Sequence, residues 1–428
     1  MIDMRLWKND SRPALGWCWG LALWGCAMVW AAQGEELYRA DGERLEGTIG
    51  GAGHSFKVGA TAVDAGQVLL IRFSNAAAPQ RLANGVCLRD GSLLAGELDA
   101  LVGDKATVSA TSLGKSLDLA RAELSGAFFA LPPGMPENFP ALGGYARLLA
   151  ALNDTASESE GAPLSVRPGQ RHRVTYRNLE VVEGQLARFK EKAFIELPGG
   201  NYATPGRDVV RLVEFKTEPL APEKKGAPGL EALVRMKAGD VLRGRVLKID
   251  ANALTLETRF AGKLDLPRDT LAVLYPAGGE GSGLTWLSSL TPKESIHIPG
   301  FDAEFPARMN LSCDGQLMRM GGLPCDRGIG VHAKSKLSWV LKPAPGRKFV
   351  ARVGIDDETQ GRGAAIARVL LDGQPLWESK LLTPESGAVP VSVEVSKGGT
   401  LTLEVDFGPD GDDSGDHIDW GWAALVGS

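Results

Sequence analysis

The chain has 428 residues, 44% hydrophobic and 23% charged, with a formal net charge of −5. These values exclude wholesale disorder, and an acidic balance without a basic stripe excludes a general nucleic-acid binder. The length predicts several domains rather than one core, and 54 glycines and 25 prolines scattered between short apolar runs predict many turns joining short strands, a mainly β chain.

At the N-terminus, Arg5, Lys8 and Arg12 precede an apolar stretch over residues 14–29, followed by Ala31 and Ala32. This is the layout of an export signal occupying 1–31, cleaved after Ala31. An uncleaved anchor and a lipoprotein attached at Cys26 are the alternatives. The run is shorter than the ~20 residues of a spanning helix, and no later segment is apolar enough to cross a bilayer. The mature chain is therefore expected to be exported (periplasmic, cell-surface or secreted) without a membrane span. Cleavage leaves Cys87, Cys313 and Cys325. No CxxC or Cys/His zinc spacing is present, so no zinc site is expected. Cys313 and Cys325 either pair, as an oxidising compartment permits, or act as small buried hydrophobes.

A four-fold recurrence follows. Each copy opens on a short run, with an apolar pair in the last three, that ends in glycine: Arg44-Leu45-Glu46-Gly47, Leu93-Leu94-Ala95-Gly96, Val181-Val182-Glu183-Gly184 and Val241-Leu242-Arg243-Gly244. Each closes on an apolar strand containing an aromatic, ending near Phe73, Phe129, Phe215 and Tyr275. The fourth copy reads as a meander of four short strands, with Leu254 to Thr258 alternating at period two. Glycine at the fixed position suits a sharply bent or bulged strand. The units, at 35–75, 80–132, 171–217 and 230–277, resemble small SH3-like or Sm-like barrels. A linker at 133–170, with a short helix over 141–153, separates the second from the third. The repeats hold no carboxylate pair with a histidine, no GxSxG elbow and no phosphate-binding loop, so a spacing or protein-interaction role is expected.

From residue 284 the texture changes. Trp286-Leu287-Ser288-Ser289-Leu290, then Arg327-Gly328-Ile329-Gly330-Val331-His332-Ala333, then Val353-Gly354-Ile355-Asp356-Asp357, and finally Asp416-His417-Ile418-Asp419-Trp420 appear in order over 284–428. Together they resemble the novel putative carbohydrate-binding module (NPCBM) family. The resemblance implies a β-sandwich jelly roll of the galactose-binding-like kind, a type often attached to glycoside hydrolases and to exported bacterial proteins. Independently, Val350, Val353 and Ile355, then Val369 and Leu371, then Leu401, Leu403 and Val405 alternate as strands, and Asp372-Gly373 and Gly398-Gly399 mark tight turns.

Sugar recognition needs an aromatic face for the apolar side of the ring and planar polar groups for adjacent hydroxyls. The candidates are His332, Asp356, Asp357, His417, Asp419, Trp420 and Trp422. The competing assignment makes Trp420 a core residue and His332 a buried strut donating to a carbonyl. Glu404, Asp406, Asp410, Asp412, Asp413, Asp416 and Asp419 crowd seven carboxylates without a lysine or arginine. Either they form a solvated acidic loop, or Asp406, Asp412, Asp413 and Asp416 hold a structural calcium, as the analogy with jelly-roll modules implies. Where the family tends to read Asp-Trp-Ala-Asp-Ala, this chain has Asp419-Trp420-Gly421-Trp422-Ala423, which removes the second aspartate. Asp356 and Asp357 are adjacent, so on a strand they face opposite ways and cannot flank one glycosidic bond. The expectation is a non-enzymatic protein whose partner is a glycan or polysaccharide. The alternative is a structural protein that docks on other envelope proteins.

Overall fold

Apolar residues at every second position turn one face of each short strand toward a core, and the described residues accordingly form strands joined by tight turns and short 3-10 turns. The computed structural model describes residues 34–53, 55–73, 82–129, 172–178, 180–215, 229–277, 283–300, 304–409 and 411–427. The export signal, the linker 133–170 with its helix, and Asp410 lie outside the described residues.

Four successive segments, 36–72, 85–128, 172–214 and 230–276, follow one pairing scheme. In each, the first strand pairs antiparallel with the second and with the last, and a 3-10 turn precedes the last strand. The recurring glycine lies where the bent second strand meets the third. A Cβ on Gly244 would stand 2.4 Å from the Glu257 carbonyl oxygen, and one on Gly184 2.4 Å from that of Glu196.

The segments also pair with one another. The closing strands of the first and fourth run antiparallel, Ile71 opposite Leu274, as do those of the second and third, Ala127 opposite Val213. Both partnerships recur further along: Ala52, in the strand Ile49–Ala52 that follows the second strand of the first segment, lies opposite Lys248, and Val102 lies opposite Arg188. Val241 opposite Leu93 then links the fourth segment to the second. Apolar side chains from all four segments, such as Phe56, Leu98, Phe189 and Leu256, share a single core.

The C-terminal module is a sandwich of two antiparallel sheets. One has six strands, in the order Arg308–Met309, Gly328–His332, His417–Val426, Lys348–Ile355 and Val389–Glu394, with Leu284–Trp286 also on His417–Val426. The other has five, in the order Glu294–His297, Ser335–Leu341, Gly399–Phe407, Ala365–Leu371 and Gln374–Glu378. Trp339, Phe349, Leu403 and Trp420 fill the space between them. Asp372 (φ 50°) and Gly373 (φ 78°) make the two-residue hairpin between Leu371 and Gln374, where both central residues need positive φ.

Part of the outer face of the six-stranded sheet rests on the N-terminal segments. Trp286, Val350, Trp422, Ala424 and Val426 meet Tyr38, Leu70, Leu93, Phe128, Leu233 and Tyr275 in one buried cluster. Tyr38 and Trp422 lie with ring centroids 5.0 Å apart. The Arg327 guanidinium sits 5.8 Å above Tyr275 and 5.2 Å above Trp286, while Tyr275 donates its hydroxyl to Asp326, which also pairs with Arg235.

Candidate functional site

Strand alternation decides which candidate side chains can meet. In the paired strands Gly328–His332 and His417–Val426, Ile329, Val331, Ile418 and Trp420 point into the sandwich. Their neighbours His332, His417 and Asp419 therefore leave it on the outer face. That face is roofed by the chain around 310–320: the Leu311 carbonyl oxygen is so close to Gly330 that a Cβ there would stand 2.3 Å from it.

Four rings gather under this roof. Phe305 lies nearly parallel on His332 (4.4 Å between centroids, 13° between planes), and His297 meets both edge-on. His417 stands 5.2 Å from His332. His332 is buried and its Nδ1 bonds the Ala333 carbonyl oxygen. Burial, with His417 and His297 alongside, holds its pKa below the usual imidazole value despite the opposing pull of that bond. Phe305 is only half-buried and keeps part of its ring open.

Beside the rings runs a row of polar groups. His417 Nδ1 is 2.8 Å from Glu358 Oε1, and Glu358 also accepts from Ser312 Oγ at 2.6 Å and from the Asp314 N–H at 3.2 Å. Burial alone would lower the His417 pKa; the Glu358 bond and charge, helped by Asp314 and Asp356, outweigh it and raise it. Burial likewise pulls Glu358 upward, but the bonds from His417, Ser312 and Asp314 leave it below the usual range. Asp314 is the exposed member of the row.

The remaining candidates have other duties. Asp356, buried, caps the following 3-10 turn through the Glu358 N–H (2.7 Å) and accepts from the Arg319 N–H (2.9 Å). Asp357 accepts from Gly321 and Gly322 N–H at 2.7 and 2.8 Å. Asp419 is fully buried, and burial followed by the neighbouring Asp356 pushes its pKa well above the carboxylate range. Trp420 is sealed inside the sandwich and Trp422 at the joint with the N-terminal segments. Neither therefore offers a ring face to a sugar, which corrects their assignment as contacts; burial also removes Asp356, Asp419 and His332 from direct contact. The open aromatic is Phe305, and the hydrogen-bonding groups are His417, Glu358 and Asp314. Sequence reasoning missed Phe305, Glu358 and Asp314, although Glu358 directly follows the Asp356-Asp357 pair.

The four aspartates expected to share calcium do not converge. Asp406 pairs with Lys334 (3.4 Å) and Arg368 (3.3 Å). Asp412 accepts from Ser414 N–H and Oγ within its own loop. Asp413 accepts from the Gly300 N–H at 3.0 Å, and buried Asp416 from the Ala364 N–H at 2.7 Å. With each carboxylate held by a different partner, the set does not fit one calcium ion, and the assignment is corrected. Cys87, Cys313 and Cys325 are buried free thiols, so Cys313 and Cys325 are not paired.

Residues 283–426 match the family described as the NPCBM/NEW2 domain. The C-terminal module is an NPCBM domain. An alpha-1,3-galactosidase B from Akkermansia muciniphila is 30% identical over 158 residues, which cover 35% of this chain and 19% of that protein. A Renibacterium salmoninarum protein named as an endo-alpha-N-acetylgalactosaminidase is 29% identical over 92 residues, 22% of this chain and 6% of its own length. The chain thus spans less than a fifth of the curated relatives it matches. Among solved structures, the CBM51 from Clostridium perfringens GH95 in complex with methyl-galactose aligns at 28% identity, covering 33% of this chain and 99% of its own, with a TM-score of 0.30. The C-terminal module is of a carbohydrate-binding module family, and no helix among the described residues is long and apolar enough to cross a membrane.

Proposed function

We propose that the chain is an exported, non-catalytic protein that binds glycan on the outer face of its NPCBM domain, at Phe305, His417, Glu358 and Asp314. The observation that carries this reading is the half-open Phe305 ring, stacked on His332 and bordered by groups that can accept from and donate to hydroxyls. An aromatic held flat on a buried ring loses little freedom when a sugar's apolar face covers it. The relatives named for galactosidase and N-acetylgalactosaminidase activity make glycans ending in galactose or N-acetylgalactosamine the first ligands to test. A non-catalytic role is supported by the carboxylates at and beside the site: Asp356, Asp357 and Glu358 are each engaged by two or more donors, which leaves Asp314 as the exposed one of the four, whereas glycoside hydrolysis needs a free acid and a free base or nucleophile across the bond. The basic and apolar stretch before Ala31 supports export.

A glycan array with the full chain, followed by calorimetry, tests the reading. Binding to galactose- or N-acetylgalactosamine-terminated glycans is expected, weakened about ten-fold or more by Phe305→Ala, a loss of ~1.4 kcal/mol. A chain that ignores every glycan overturns the proposal, and release of reducing ends overturns its non-catalytic part. N-terminal sequencing of the protein recovered outside the cytoplasm should begin at Ala32.

A further inference from the structure

Folding brings together donors whose sequence spacing gave no metal signature. Cys313 Sγ, a carboxylate oxygen of Asp314 and a ring nitrogen of His417 all lie within 4.8 Å of one another, contributed by the roofing loop and by the last strand. We infer that Cys313, Asp314 and His417 form a site for a zinc-class divalent metal ion. A sulfur, a nitrogen and an oxygen donor suit zinc, whereas calcium takes oxygen donors alone.

The geometry is close to what such an ion needs. Zinc bonds of about 2.0–2.3 Å put neighbouring tetrahedral donors about 3.5 Å apart, and Asp314 Oδ2 is 4.0 Å from His417 Nδ1. The Asp314 side chain is 54% exposed and is the donor free to close that gap. The His417 nitrogen that faces Asp314 also bonds Glu358 Oε1 at 2.8 Å, so the ion takes the place of that shared hydrogen, the ring keeps its proton on Nε2, and Glu358 stands beside the ion as a further oxygen donor. On binding, the Cys313 thiol releases its proton to solvent as the sulfur–metal bond forms, and the ion ties the roofing loop to the last strand.

The test uses the full chain, stripped with chelator and dialysed. Calorimetry with zinc chloride should give one ion per chain, insensitive to excess calcium. Cys313→Ser and Asp314→Ala should each weaken zinc by at least the ~10- to 100-fold that even outer-shell partners command; Cys87→Ser should not. Cobalt should produce a thiolate charge-transfer absorption that Cys313→Ser abolishes, with circular dichroism confirming that the variants fold. Absence of zinc uptake, or uptake and cobalt absorption unchanged in Cys313→Ser and Asp314→Ala, overturns the inference. Asp314 and His417 belong to both sites, but Phe305→Ala removes none of the three donors and should retain zinc while it weakens glycan, and Cys313 lies outside the glycan set, so zinc uptake and glycan binding are read separately.

Discussion

Trp422 sits at φ 51° inside an otherwise extended strand. Opposite it the ladder slips between Val350 and Arg352, the geometry of a β-bulge, which leaves one residue unpaired and turns the strand. Before the bulge Ile418 and Trp420 face the sandwich; after it Ala423 and Leu425 do, and Trp422, Ala424 and Val426 face the N-terminal segments. Period-two alternation assigns both tryptophans to one face, so the sequence could not separate them, and the tail's aromatics looked available to a ligand. Phe305 and Glu358 escaped notice for the converse reason: they lie in irregular loops and turns, where no periodicity marks orientation. His417 was singled out through the Asp416-His417-Ile418-Asp419-Trp420 run, though its partner Glu358 was not. Trp422→Ala should leave a cavity at the joint and cost ~3–5 kcal/mol, read by urea unfolding of the full chain. A midpoint that stays where it was would mean that the ring carries no packing there.

Among the elements, the recurring glycine was the most informative sequence feature, because its cause is local: the next strand's backbone occupies the space a side chain would need. Gly244→Ala should therefore destabilise by ~1–3 kcal/mol, as forced overpacking does, and a fully stable variant would contradict the close approach to Glu257. Pairing between segments was not legible, since backbone N–H and C=O groups at strand edges carry no side-chain signature. One titratable group lies at such a seam. Asp240, fully buried, accepts from the Ala95 N–H at 2.7 Å through Oδ1. Burial raises its pKa above the ~3.9 of an unfolded aspartate, so the folded state binds the proton more tightly. Its contribution is complete below pH ~4 and is lost as pH rises through the folded value. Thermal melts from pH 4 to 7 should thus show a decline in the wild type that is smaller in Asp240→Asn. Parallel profiles for the two proteins would discard this account.

At the level of the whole chain, residues Gly34–Ser428 form one compact unit, whereas composition and motif changes read as a string of separate domains. The sandwich and its motifs were legible because they are local to 284–428. The joint was not, because Tyr38, Tyr275 and Trp422 come from distant segments and each reads as an ordinary core residue. Differential scanning calorimetry of the full chain should show a single cooperative transition. The isolated stretch 283–428, which uncovers Trp286, Val350 and Trp422, should bind a hydrophobic dye or aggregate; a monodisperse, dye-silent fragment would contradict a shared core. The joint also bears on ancestry. Modules that recombine freely between genes meet their hosts through solvent, but this sandwich turns Trp422 outward onto Tyr38 of the first segment. Grafting it onto a new host would strand both rings, so the two halves are constrained to diverge together.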